Sequence, residues 1–344
     1  MFEIIKRYIE KKKFYTKTFG KKFLDENGVL HIPEGVKILS HDMFLENDKI
    51  TKVICPKSLI LIGSGAFKRC KNLIEIELND GLERIGTKAF KGCEKLRSVS
   101  IPDSVTEINF SAFSGCTSLE KVKLSKGLTV IQSNTFRYCF GLHEIEIDGN
   151  IETIESAAFY KSGLQKVVIH DGVKHLGHKV FYSCNISELD LPNTLETMGE
   201  GCFFGNNFKT LRCPPGLKSI GDFAFGDCMS LAMAYLPDSV ERIGKYAFQN
   251  NLNLRYIVLP PKLTELAEGI FDGCVNFREL EIPETVTKIG SKALNMKSVN
   301  KLTFLGKPTS IAPDAISVFW CGKVSNKPDN CNIIIKSRTP ALDK

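Results

Sequence analysis

Between residues 31 and 305 the apolar positions of the chain recur in one fixed phrase. Its clearest copy is Lys88–Ala89–Phe90–Lys91–Gly92–Cys93–Glu94–Lys95–Leu96–Arg97–Ser98–Val99–Ser100–Ile101–Pro102. An aromatic residue anchors it. Phe44, Phe67, Phe90, Phe113, Phe136, Phe159, Phe181, Phe203, Phe225, Phe248, Phe271 and Leu294 take that place in turn, 23 residues apart except for three steps of 22 between Phe159 and Phe225. Twelve occurrences in one register mark an internal repeat. Units of this size stack, because one alone cannot bury its apolar face.

After each aromatic comes a segment of the form Leu-x-x-Ile-x-Leu, as at Leu73–Leu78, Leu96–Ile101 and Leu254–Leu259. Its second half alternates apolar and other residues, the period of a strand with one buried face. Proline often follows, as at Pro56, Pro102, Pro192, Pro237 and Pro283. It has no N–H to give to a ladder and so marks the last rung. A second apolar pair, such as Val105/Ile108 or Val240/Ile243, predicts an extended piece or a turn, and the residues leading to the Ala-Phe pair predict a single short helical turn. Three repeats lose one residue before the strand, at Ser162-Gly163-Leu164, Cys184-Asn185-Ile186 and Asn206-Asn207-Phe208. There the entry turn tightens and the local twist changes.

The pattern Ile-Pro-x-x-Val-x-x-Ile-Gly-x-x-Ala-Phe-x-x-Cys-x-x-Leu, closely copied in Ile101–Leu119 and Leu236–Leu254, resembles the BspA-like leucine-rich repeats of bacterial and protist proteins over about 80% of the chain. The resemblance implies a leucine-rich-repeat solenoid of strand-dominated α/β class. That fold is a right-handed curved stack of about twelve 22–23-residue repeats, with a parallel sheet on the concave face and short helical turns elsewhere. It also implies a binding or adhesion surface, and it brings no catalytic residues to transfer. Residues 30–305 form the array, flanked by a basic arm or helical cap at 1–29 and a capping repeat at 306–344. In that last region Asn332–Ile335 reads as a final strand, and Phe319-Trp320-Cys321-Gly322 holds the single tryptophan.

Composition places the chain among folded soluble proteins: 43% apolar and 25% charged over 344 residues, with no apolar run long enough to cross a bilayer. Its net charge of +7 is uneven. Lys6, Arg7, Lys11, Lys12, Lys13, Lys17, Lys21 and Lys22 face only Glu3 and Glu10, so the first 22 residues carry +6. Phe2, Ile5, Tyr8 or Ile9 and Lys12 fall at roughly helical spacing, so the arm reads as a short amphipathic basic helix. Two roles stand open for it. Ile4, Ile5, Tyr8 and Ile9 can lie over the open end of the array as a cap, or the lysines can touch an anionic membrane surface or nucleic acid. With no secretory leader in the sequence as written, the expected location is cytoplasmic, and a surface location follows if a leader has been removed.

Reactive chemistry is sparse. Seven of the twelve cysteines, Cys70, Cys93, Cys116, Cys139, Cys184, Cys228 and Cys274, stand three residues after the aromatic, and no Cys-x-x-Cys pair occurs. A repeat position sets thiols in a column about 5 Å apart instead of converging them on a metal, so they read as small buried residues that stay reduced. Ser162, Asn206 and Asn251 replace Cys at that position. His170, His175 and His178 share one repeat and read as a solvated turn. No phosphate-binding loop, zinc-protease helix or nucleophile elbow is present. The chain reads as no enzyme, with no cofactor, no metal and no small-molecule substrate.

What remains is surface recognition. In each strand the two residues flanking the first buried position of the second half point outward. In order these pairs are Lys52/Ile54, Glu75/Glu77, Ser98/Ser100, Lys121/Lys123, Glu144/Glu146, Lys166/Val168, Glu188/Asp190, Thr210/Arg212, Met233/Tyr235, Tyr256/Val258, Glu279/Glu281 and Lys301/Thr303. Most are charged and alternate in sign from rung to rung, which suits a sheet without further purpose. Met233, Tyr235, Tyr256 and Val258 break the pattern. Arg212 borders them on one side and Glu279 and Glu281 on the other, with Arg255 and Arg278 at the next positions outward. An aromatic patch with a charged rim has the make-up of a protein-binding hot spot. The expected function is a monomeric, non-catalytic scaffold that binds a protein partner on this face. A cell-surface adhesion module is the alternative, and a membrane or nucleic-acid binder acting through the basic arm is the third.

Overall fold

The computed structural model describes residues 22–296, 299 and 301–316, together with the backbone of short strands at 319–320, 323–324 and 332–335. The basic arm up to residue 21 therefore lies outside the described residues, as do Lys297, the Trp320 side chain, Cys321 and Cys331. Two compact units follow one another along the chain, Met1–Leu164 and Gln165–Lys344.

Because one phrase returns every 22 or 23 residues, stacking sets like on like, and each repeat gives two parallel strands. In the first unit the longer strands include Val29–His31, Lys52–Ile54, Glu75–Glu77, Ser98–Ser100 and Lys121–Lys123. They pair in register, Val29 with Lys52, Lys52 with Glu75 and Ser98 with Lys121. The later member of the second apolar pair ends a two-residue strand, and Ile38–Leu39, Leu61–Ile62, Arg84–Ile85 and Glu107–Ile108 make a four-stranded parallel sheet.

The second unit repeats the scheme. Thr210–Arg212, Met233–Tyr235 and Tyr256–Val258 form one parallel sheet, and Glu279–Ile282, Lys301–Phe304 and Asn332–Ile335 form another. The result is a strand-dominated parallel β-solenoid of about twelve turns.

The second residue of most of the longer strands points into the core, while Val122 and Leu189 in that place are half-buried. Val53, Ile76, Val99, Leu211, Ala234, Ile257 and Leu280 are buried, and most flanking residues face out, as the alternation requires. Charges on the outward face pair between rungs: Lys52 reaches Glu75 at 3.0 Å and also Glu77, and Lys301 meets Glu279 at 3.3 Å. Thr303 departs from expectation: it is buried, at 5% exposure, so this rung, paired with Glu279–Ile282 and Asn332–Ile335, offers no second outward residue.

The aromatic anchors form the spine of the core. In the first unit Phe44, Phe67, Phe90, Phe113, Phe136 and Phe159 are buried, with successive ring centroids 5.1–5.6 Å apart and planes within 14° of parallel. In the second, Phe181, Phe203, Phe225, Phe248 and Phe271 stack at 5.3–6.0 Å with planes within 25° of parallel.

The segment around each anchor is not the helical turn that the sequence predicts. Around Phe90, the N–H groups of Ala89, Lys91 and Cys93 go to carbonyls three residues back, each at 3.1 Å, while those of Lys88, Phe90 and Gly92 go to Phe110, Ala112 and Ser114 of the next repeat at 2.8–3.0 Å. A helix would keep every bond within its own segment. Here alternate amides hold the neighbouring repeat. The alternation needs left-handed backbone two residues before and two after the anchor, as at Lys88 (φ 58°) and Gly92 (φ 75°). The earlier position is left-handed in all twelve repeats, even where Phe223 or Tyr246 occupies it.

Candidate functional site

Parallel pairing assembles the predicted patch in the second unit. Strand Met233–Tyr235 lies between Thr210–Arg212 and Tyr256–Val258, so Met233 sits beside Tyr256, and Tyr235 between Arg212 and Val258. The tyrosine rings meet diagonally, with centroids 5.7 Å apart and planes at 49°. Arg212 lays its guanidinium 4.5 Å from the centre of the Tyr235 ring, a cation–π contact that fixes both side chains. The Tyr235 hydroxyl donates to the Met233 sulfur at 3.6 Å. Beneath them Leu211, Ala234 and Ile257 anchor the strands in the core.

Although the backbone is fixed, the patch is open: Met233 is 39% exposed, Tyr256 48% and Val258 53%. Arg255 and Arg278 are exposed one residue before their strands. Glu279 and Glu281 are exposed on the strand that opens the next sheet, and Glu279 is engaged by Lys301. The structure thus brings together Met233, Tyr235, Tyr256, Val258 and Arg212, and sets Arg255, Arg278, Glu279 and Glu281 around them as separate charges.

The cysteine column proves to be a set of hydrogen-bond donors, a role that side-chain size and spacing do not announce. Cys70 gives its S–H to the carbonyl of Phe44 at 3.0 Å, Cys93 to Phe67 at 3.2 Å and Cys116 to Phe90 at 3.2 Å. Where Asn stands instead, its amide takes over: Asn251 Nδ2 donates to Phe225, and Asn206 Nδ2 to Phe181, both at 2.8 Å. Burial pushes the thiols of Cys70, Cys116, Cys228 and Cys274 up to about 12, so near neutral pH they carry no thiolate to bind metal or attack. Alkylation of the folded chain at pH 8 is expected to leave these four unmodified while the unfolded chain labels fully, as read by mass spectrometry. Labelling at the rate of a free thiol would show that the column is open.

The histidines are drawn into ordinary contacts. His175 Nδ1 lies 2.9 Å from Thr197 Oγ1, and His178 Nδ1 accepts the N–H of Glu200 at 3.3 Å. Among the described residues no group of three or more His, Cys, Asp or Glu side chains is placed to hold a metal ion.

Profiles of the BspA type leucine rich repeat region match residues 11–143, 61–186, 129–255, 174–303 and 218–326. The chain belongs to the BspA-type leucine-rich repeat family. As a BspA-type array it is similar to several solved structures. A leucine-rich repeat protein from Bacteroides ovatus ATCC 8483 is 25% identical, with a TM-score of 0.67 over 80% of this chain and 78% of that one. A leucine rich cell surface protein from Faecalibacterium prausnitzii A2-165 is 26% identical, with a TM-score of 0.54 over 92% and 89%. The pneumococcal vaccine antigen PcpA, at 21% identity and a TM-score of 0.56 over 91% and 84%, shares the BspA-type fold. No curated protein matches the chain.

Proposed function

We propose that this BspA-type array is a non-catalytic scaffold that binds a protein partner on the outward face of its longer strands, taken as the concave face, with the patch of Met233, Tyr235, Tyr256 and Val258 as its centre. One observation carries the reading. On two paired strands, where other rungs present mostly charged or hydroxyl side chains, three large apolar or aromatic side chains stand 39–53% exposed side by side. Removing them from water favours association. Tyrosine and arginine are also the residues on which binding energy concentrates, and Arg212 and Tyr235 are already held in one geometry, so little freedom is lost when a partner arrives.

Quantitative capture from the native cell tests this, with intact chain compared against the Tyr235→Ala/Tyr256→Ala double variant. The partner should be retained by the intact chain, and the double variant should bind it at least about 2 kcal/mol more weakly. Equal recovery by both would remove the patch from consideration. Adhesion at a cell surface is the second reading, favoured by the similarity to a chain described as a leucine rich cell surface protein. Accessibility of the native protein to antibody on intact cells separates it from a scaffold that acts inside the cell.

A further inference from the structure

A second surface stands out in the first unit, on the turn column and away from the strand face. Two positions there lose their side chains in succession. The place two residues after the anchor is Arg69 in one repeat, then Gly92 and Gly115, then Tyr138. A β-carbon on Gly115 would have only the Gly92 backbone, at 3.8 Å, for company. Ser111 and Ser114 keep the same repeat low. The gap is a groove of about 1170 Å³ with glycine and serine on its floor, Arg69 at one end and Arg137 with Tyr138 at the other. At roughly 5 Å per rung its three rungs span about 15 Å.

Charge divides the groove. Along one flank the ions are matched, Arg69 with Glu46 at 2.8 Å and Lys71 with Glu94 at 3.4 Å. Asp48 adds a third carboxylate to the lining, against five cations in all; of these, Lys88, Lys91 and Arg137 line the remainder, and among the described residues none of the three is ion-paired. Burial, and then the charges of Lys88, Lys68, Arg69 and Arg137, press the Lys91 ammonium to give up its proton more readily than usual. Lys88, Lys91 and Arg137 thus stand near one another with no carboxylate paired to them among the described residues. Arg137 is held still, its guanidinium 4.6 Å from the centres of both the Tyr138 and Tyr160 rings and bonded to Asn134 and the Tyr138 hydroxyl. It cannot swing towards Lys91, so a ligand that uses both centres must carry anionic groups spaced along its length.

We infer that this groove binds a linear acidic polysaccharide, sulfated or carboxylated, along the turn column of the first unit. Of the two rings in the lining, Tyr138 has a face covered by Arg137, and Phe110, 42% exposed, has Lys88 5.9 Å over it. One open ring falls short of the run of aromatic platforms on which single-stranded nucleic acid binding depends. An acidic peptide would gain from edge pairing, but the amides of Lys88, Phe90, Gly92, Ser111 and Gly115 are already spent on the next repeat. The hydroxyls of Ser111 and Ser114 and the Asn134 side-chain N–H groups line the floor as partners for sugar hydroxyls, while the Thr117 hydroxyl already donates to the Glu94 carbonyl at 3.2 Å and Asn134 Oδ1 already accepts from Arg137.

Binding of the full chain to heparin, oligo-dT and polyglutamate at one ionic strength tests the inference. Lys88→Gln/Lys91→Gln should weaken heparin binding at least about tenfold, as expected on losing two charge-assisted contacts, with an unchanged melting midpoint. Lys262→Gln/Lys307→Gln, which removes equal charge from exposed sites of the second unit, should stay within about twofold, as surface charges do. A full chain with Lys11, Lys12, Lys13 and Lys17 changed to Gln reports any contribution of the arm. The inference is overturned if the groove variant keeps wild-type affinity for heparin, if only the arm variant loses it, or if oligo-dT or polyglutamate binds through Lys88 and Lys91 as tightly as heparin.

Discussion

Phe90→Ala is expected to cost about 3–5 kcal/mol of stability, the range for emptying a fully buried aromatic site. Phe90 is wholly buried and stacks on Phe67 at 5.4 Å and on Phe113 at 5.1 Å, both within 7° of parallel. Truncation therefore leaves a cavity and ends two ring contacts, each worth about 0.5–1.5 kcal/mol beyond burial. Collapse is resisted because the backbone on either side is tied through Phe90 N–H to Ala112 and Phe67 N–H to Ala89, both at 2.8 Å. Phe90→Leu should recover more than half of the loss, since Leu294 fills the same register position and is fully buried. Urea unfolding with amide exchange of the flanking repeats measures both variants. In a stacked array the loss should appear first in the repeats that touch the cavity. A Phe90→Ala chain within about 1 kcal/mol of wild type would mean that the ring column does not bind the repeats together.

The sequence exposes this column because apolar burial is periodic and every copy of the phrase repeats it. Parallel strands, their register and the outward positions follow from the same periodicity. For that reason the outward places of residues 233, 235, 256 and 258 are legible in the sequence itself. The turn column is not. Its left-handed positions hold Asp42, Lys88, Ala157, Phe223 and Tyr246 as well as glycine, so no composition signal separates them from a helical turn. The backbone accepts a cost of about 1–3 kcal/mol at each non-glycine site because the N–H it frees there bonds across to the next repeat. The groove is half legible: Gly92 and Gly115 recur in one register position, and the lysines flank them in the sequence. Only the fold shows that Glu46 and Glu94 are occupied elsewhere and that Arg137 is pinned.

Asn206 is where a sequence departure acquires a physical cause. In the full-length repeats the amide of the strand-entry leucine bonds to the carbonyl three residues back: Leu96 to Cys93 at 3.2 Å and Leu254 to Asn251 at 3.1 Å. The repeat at Cys184-Asn185-Ile186 lacks one residue, so the same carbonyl stands only two residues before Ile186 and that bond cannot form. Asn206 Oδ1, from the next repeat, accepts the Ile186 N–H at 2.9 Å, while its Nδ2 donates to Phe181 and Phe203, both at 2.8 Å. Asn251 also donates twice, to Phe225 at 2.8 Å and Phe248 at 2.7 Å, but its Oδ1 is buried with no partner. One residue type thus does two different jobs. Asn206→Leu should cost about 2–3 kcal/mol, because the buried Ile186 amide is left unsatisfied at roughly 1–3 kcal/mol and the carbonyls of Phe181 and Phe203 each lose one donor, although Phe203 keeps Cys228 Sγ at 3.3 Å. Asn206→Cys restores only the donor and should remain about 1–3 kcal/mol below wild type. Asn251→Cys installs the residue that most repeats carry and removes an unpartnered oxygen, so it should be neutral or stabilising. Urea midpoints rank the three variants, and amide exchange at Ile186 reports the specific bond. It should accelerate in both Asn206 variants and stay protected in Asn251→Cys. Equal effects of the two Asn→Cys changes would show that the missing residue is not what the Asn206 carboxamide compensates.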